Sequence, residues 1–152
     1  MIEKIVSGGQ TGADRAGLDA AIGAGIPVGG YCPKGRLAED GKVPERYPLN
    51  ELTRGGYPAR TERNVAESDG TLILNIGAVS GGTRVTVECA KKHGKPYLVV
   101  QLDRDPCVEV ALSWIEEQGI KTLDVAGPRE SKHPGAIYRQ ALAYLRELFT
   151  RF

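Results

Sequence analysis

Apolar residues in this chain gather in short runs without polar alternation, and the stretches between the runs repeat at helical spacing. The runs are KIVS (4–7), PVGGY (27–31), TLILNI (71–76), YLVVQL (97–102) and TLDVA (122–126). Most are aliphatic or β-branched throughout, as strands buried on both faces are. Helical patterns fill the gaps at 13–24, about 60–68, 83–93, 106–118 and 136–149. In the last of these Ile137, Ala141, Leu145, Leu148 and Phe152 recur every three or four residues and so share one face, read as core packing. Leu112, Trp114 and Ile115 are read the same way. Alternating strands and helices predict an α/β fold with a mainly parallel five-stranded sheet.

Local signals mark the boundaries. Thr11 with Asp14 three residues on predicts a capping box, and Gly94 followed by Pro96 ends the third helix. One segment stands apart: residues 32–59 are rich in Gly and Pro, lack a period, and exceed the usual length of a connection. Either a surface or subunit-contact excursion or a lid over a ligand is expected there. A length of 152 residues suits a single domain.

Composition removes several classes of function. A net charge of +1 with evenly scattered charges gives no footprint for nucleic acid. Cys32, Cys89 and Cys107 are odd in number, far apart and without a C-x-x-C, so neither a disulfide framework nor a zinc site is expected. His93 and His133 each stand alone, which favours surface or capping roles over metal binding. The start MIEKIV has no signal-peptide run and no stretch approaches a membrane span, so a cytoplasmic protein is expected.

The candidate chemistry lies in two glycine loops. SGGQTGADR (7–15) follows a strand and opens a helix, where backbone N–H groups and the helix dipole bind anions. Gly8 and Gly9 allow a tight turn and close approach, Gly12 allows entry into the helix, and Gln10, Thr11 and Arg15 offer donors. Gly17 lets that helix lie close on the sheet. The pattern is neither the dinucleotide fingerprint nor a P-loop. NIGAVSGGTRVTVE (75–88) repeats the context, with Ser80, Gly81, Gly82 and Thr83. In the common strand order 2-1-3-4-5 the reversal lies between the first and third strands, so the two loops are expected to face each other across one crevice. A phosphorylated small molecule is the expected guest. Arg60, Arg63 and Asn64 near the start of the second helix, and Arg129 and Ser131 after the last strand, are candidate clamps for it. Lys34 and Arg36 in the long loop have the reach but read as solvated charges.

The ordered set SGGQTGADRAGLDAA, RTERNVAESDGTLIL, SGGTRVTVE and VAGPRES..PG resembles the molybdenum cofactor carrier protein family, a branch of the Rossmann-like nucleotide-sensing group that includes LOG and DprA proteins. The likeness runs over nearly the whole chain. It implies a Rossmann-like fold, a three-layer sandwich with helices on both faces, self-association as a dimer or tetramer, and a pterin (molybdopterin) or nucleotide-like phosphate ligand in the glycine crevice; no protein-ligated metal is expected. LOG enzymes cleave the base from a nucleoside monophosphate and carry P-G-G-x-G-T-x-x-E. By that resemblance the alternative is a nucleotide N-glycosidase using Arg60 and Glu88. Here Ser80 replaces the Pro and Glu88 lies five residues after Thr83 instead of three, which turns it about 200° around the helix. A flavodoxin-like FMN carrier is a third reading, weakened by the lack of aromatic residues in the crevice loops.

Overall fold

The computed structural model describes all 152 residues. Five strands form one parallel sheet: β1 (Lys4–Val6), β2 (Val28–Gly29), β7 (Gly70–Asn75), β8 (Tyr97–Gln101) and β9 (Thr122–Ala126). Four short strands lie in the segment between β2 and β7: β3 (Tyr31–Cys32), β4 (Leu37–Ala38), β5 (Gly41–Lys42) and β6 (Asn50–Glu51). β3 pairs with β6 in parallel and β4 with β5 antiparallel. Five helices complete the fold: α1 (Ala13–Gly23), α2 (Tyr57–Ala66), α3 (Gly81–Lys92), α4 (Glu109–Gln118) and α5 (Ile137–Phe149).

The Rossmann-like three-layer arrangement is present. The main core joins α1, α4 and α5 to the sheet through residues such as Ala16, Ala111, Ile137 and Leu145, while Val65 of α2 packs with Cys89 and Ala90 of α3 in a separate cluster. Ile137, Ala141, Leu145 and Leu148 are fully buried on the predicted face of α5, and Trp114 is packed at the edge of the core. Gly17 presses α1 onto the sheet: a Cβ there would lie 2.8 Å from the Val125 side chain.

The strand order differs from expectation. It runs β2-β1-β9-β7-β8, so the last strand in sequence is inserted between the first and third of the predicted runs instead of lying at the edge. Burial gives the physical reason. Leu123 and Val125 of β9 are wholly buried, whereas Tyr97, Leu98 and Val99 of β8 are only partly so, and a half-covered strand belongs at an edge. β9 pairs with β1 at Ile5↔Leu123 and with β7 at Leu72↔Val125.

Two local expectations also change. Thr11 does not cap α1: Gly12 holds the N-cap position without a side-chain bond, and the Asp14 carboxylate reaches back to accept the Gln10 N–H at 3.2 Å. α2 starts three residues earlier than the periodicity suggests, at Tyr57, with a proline in its first turn, where a missing N–H costs nothing.

Residues 32–59 form an ordered excursion. Val43, Tyr47 and Leu49 pack with Leu18 of α1 and Cys32 in a small core of their own. Arg36 organises the loop from within, its guanidinium donating to the carbonyls of Val43, Pro44, Tyr47 and Leu49 at 2.8 to 3.3 Å. Lys34 is exposed.

Candidate functional site

A cavity of about 130 Å³ opens at the carboxyl ends of β1, β9 and β7. Both glycine loops border it, one on each side of β9, through Gly8 and Gln10 from the first and Ser80, Gly82 and Thr83 from the second. α2 closes one flank with Tyr57, Arg60 and Asn64, and the β9–α5 connection adds Arg129, Lys132 and His133.

The second loop is built to receive an anion. Ser80 is the extended N-cap of α3, and its carbonyl takes the N–H groups of Thr83 and Arg84. The amides of Gly81 and Gly82 have no partner within the chain. Such free N–H groups, with the helix dipole behind them, favour negative charge. The Lys132 ammonium stands over this turn, 3.3 Å from where a Gly81 Cβ would be, and Gly81 has φ +54°.

The first loop is built differently. Two of its amides are satisfied from within, Gln10 N–H by Asp14 and Thr11 N–H by the Gln10 side-chain oxygen, while those of Gly8 and Gly12 have no partner in the chain. That oxygen also accepts from Glu39 N–H at 2.9 Å, which leaves the Gln10 NH₂ group, on the cavity wall, without a partner in the chain. The Asp14 carboxylate thus occupies the place where an anion at the start of α1 would sit, while the Gly8 amide beside the cavity has no partner in the chain. Gly8 is required for a different reason from a phosphate: Arg60 crosses from α2 and lies on it, with its Cδ 2.2 Å from a hypothetical Gly8 Cβ and its Nη1 donating to the Gly8 carbonyl at 2.9 Å.

Arg60 also faces Asp14 at 3.6 Å, both side chains being about nine-tenths buried. Next to them Asp124, in the middle of β9, is 3% exposed and accepts the Thr71 hydroxyl at 3.2 Å. Burial pushes the Asp14 carboxyl up to about 6, against the pull of Arg60, the Gln10 amide and Arg15. Burial, and then the charge of Asp14, push Asp124 up to about 8, against the Thr71 hydroxyl and Arg60. The cavity therefore has an anion-attracting rim at α3 and a floor of buried carboxyls around one guanidinium.

Among the candidates named from sequence, Gly8, Gln10, Arg60, Asn64, Ser80, Gly82, Thr83 and Arg129 line this cavity, and Gly81 lies in the α3 turn beside it. Asn64 has a structural task as well, pairing through its side-chain amide with both the N–H and the carbonyl of Tyr31. The others point elsewhere. Arg15 is drawn to the long loop, with a two-pronged bond to Asp40 at 2.6 and 2.8 Å that lowers the Asp40 pKa. Gly9 backs onto Leu49 and Val43. Gly12, at φ +83°, lies against the backbone of Pro128 and Glu130, while Thr11 bonds Glu39 and Glu130. Ser131 bonds Glu39 at 2.6 Å, fastening the long loop to the β9–α5 connection. Arg63 pairs with Glu67 and lies over the Tyr31 ring on an exposed face.

Of residues 32–59 only Tyr57 and Pro58, already in α2, line the cavity; Val43 and Leu49 pack behind Gly9 of the first loop. Glu88 is exposed on α3 and outside the cavity; Thr86, three residues after Thr83, is buried there instead. The glycosidase alternative thus lacks its carboxylate at the site. Asp14 as a floor residue, Asp124 and Lys132 were not foreseen. The available signal was Asp124 itself, the one charge inside an otherwise apolar strand.

Three further facts bear on ligands and partners. No cluster of three or more His, Cys, Asp or Glu side chains has a metal-binding arrangement. No helix is long and apolar enough to cross a membrane. Cys32 and Cys89 are buried free thiols and Cys107 an exposed one.

No curated protein matches the chain. Among solved structures it is similar to a protein from Syntrophus aciditrophicus SB described as "Putative molybdenum carrier protein", with 49% identity, a TM-score of 0.90, and coverage of 97% of this chain and 94% of that one. The model of the circularly permutated YpsA SLOG family matches residues 5–149. A permutation changes when an element occurs in the chain without changing where it sits, in keeping with a sheet whose last strand lies at its centre. The chain therefore belongs to the circularly permutated YpsA SLOG family.

Proposed function

We propose that the protein is a noncatalytic carrier that binds a phosphorylated pterin or nucleotide-like molecule in this cavity, and that its cargo is the molybdenum cofactor. One observation carries the reading: the unpartnered Gly81 and Gly82 amides at the start of α3 with Lys132 over them are a donor set for a phosphate, and Arg129, tied through its Nε to Ser131 and Glu39, adds positive charge to the cavity lining. The molybdenum link comes from the name of the similar Syntrophus protein. The lining fits a pterin phosphate in kind. Donors stand at one end for the phosphate, and Tyr57, Pro58, Ala126 and polar side chains offer flat and hydrogen-bonding surface for a ring. In such a cargo the pterin dithiolene carries the metal, so these residues would hold the phosphate and the ring and need not coordinate the metal.

Native mass spectrometry of freshly purified protein tests the reading. A bound pterin or nucleotide monophosphate is expected, and Lys132→Ala should weaken its retention about tenfold, the scale of a hydrogen bond to a charged group. A protein that carries no such mass and fails to bind inorganic phosphate or any nucleoside monophosphate would refute it.

A further inference from the structure

Asp14 serves the start of α1 and the charge of Arg60, but the second floor carboxyl has little structural task. Asp124 caps nothing and pairs with no cation; one of its oxygens accepts from Thr71, and the other has no partner within the chain although the side chain borders the cavity. Asp14 is 6% exposed, and one of its oxygens takes the Gln10 N–H and faces Arg60, while the other is likewise unpartnered. Two carboxyls share the single charge of Arg60, itself tied to the Gly8 carbonyl. Neither free oxygen is sealed from solvent: both side chains line the cavity, where a ligand can supply the donors they lack.

We propose that the Asp14–Asp124 pair recognises a planar ring edge with two adjacent N–H donors, the 2-amino-pyrimidinone edge shared by pterins and guanine, and selects it against adenine. The inference rests on the reading of the α3 turn as the phosphate site, which puts the ring toward the floor. An ionised carboxylate only accepts hydrogen bonds, so it matches an edge that only donates, whereas adenine presents a donor beside an acceptor. The Gln10 NH₂ group on the same wall suits the ring's carbonyl oxygen. Metal coordination is a poorer use of the pair, since no third ligand stands beside it.

A consequence is proton release. Asp124 is protonated at neutral pH in the free protein, and N–H donors favour its ionised form, so a matching ligand expels that proton and binds more tightly as the pH rises toward 8. The charged and titratable groups facing Asp124 are Asp14 from α1 and Arg60 from α2; Arg129, Lys132 and His133 border the cavity from the β9–α5 connection, and from β7 comes only the Thr71 hydroxyl.

Isothermal titration at neutral pH with GMP, AMP and a 6-methylpterin phosphate ester, in two buffers of different ionisation enthalpy, tests this. GMP and the pterin ester should bind at least about tenfold more tightly than AMP and release about one proton each, while AMP releases none. Asp124→Asn, neutral and of the same shape, should bring GMP down to the level of AMP and leave inorganic phosphate binding unchanged; Asp14→Asn should reduce the preference without loss of phosphate binding. If phosphate binds but GMP and AMP bind alike, or if Asp124→Asn keeps the preference, the inference is overturned and the anion site stands. If phosphate itself does not bind, the anion site fails and the inference with it.

Discussion

Replacing Asp124 with asparagine should make the protein more stable, and increasingly so from acid to mildly alkaline pH. Burial, with the charge of Asp14, holds the folded carboxyl at about 8 against 3.8 for an ordinary aspartate. Below the unfolded value both states keep the proton and nothing is lost. As the pH rises through the window from about 4 to about 8, the unfolded chain releases the proton and the folded one does not. Stability then falls by about 1.4 kcal/mol per pH unit, on the order of 5 kcal/mol across the window. Asparagine never ionises and escapes this loss. Asp14 has a smaller window of the same sign, ending near 6, which both proteins share. Urea unfolding at unit steps of pH through that window reads the difference directly. It should grow by about 1.4 kcal/mol per unit and level off near the upper end. A difference independent of pH would refute the assignment of Asp124 as a buried carboxyl protonated at neutrality. A penalty of this size is a large part of a domain's usual 5 to 15 kcal/mol, and such costs persist where a site needs them.

Arg60→Ala strips Asp14 of its counter-charge and the Gly8 carbonyl of its donor; chemical denaturation should show a loss of about 3 kcal/mol at alkaline pH and a smaller one near pH 5, where Asp14 is protonated. Gly127→Ala should be severe, because a Cβ there would lie 2.2 Å from the Leu74 carbonyl oxygen at a φ of +155°; a thermal midpoint more than about 8 °C below wild type is expected, matching a loss of 2 kcal/mol or more. Arg36→Ala removes the donor that gathers four loop carbonyls, so limited proteolysis should cut within residues 36–49 while the sheet core stays protected.

The layers of the fold were legible because buried parallel strands read as unbroken apolar runs and α5 carries a clean stripe. The strand order was not, since β8 reads as the more apolar run of the two and yet is the one left half-covered at the edge. Gly8 and Gly82 both border the cavity, but the two loops do different work: Gly8 makes room for Arg60, whereas Gly81 and Gly82 present amides. Arg60 and Arg63 were indistinguishable in one charged helix; three residues of rotation put the first indoors and the second over Tyr31. Asp14 passed for a capping residue because an acidic side chain in a first turn usually is one, and nothing local in the sequence reveals the second carboxyl beside it.

The position of β9 also decides when the site comes into being. Every contact of the β2–β1 pair with the β7–β8 pair within the sheet passes through β9, the last strand of the chain. A chain ending at residue 120 would keep both pairs and lose what joins them. It would also lose Leu123, Val125, Ile137, Ala141, Tyr144, Leu145, Leu148 and Phe149 from the main core, each no more than 6% exposed. At about 1.5 to 3 kcal/mol for each large side chain, the deficit is as large as the whole stability of an ordinary domain. The truncated chain is therefore expected to show no cooperative unfolding transition by circular dichroism and no protection from protease. A cooperative transition in that fragment would mean that the strand pairs hold together without their centre, and would break the link drawn here between completing the sheet and forming the cavity whose floor is Asp124.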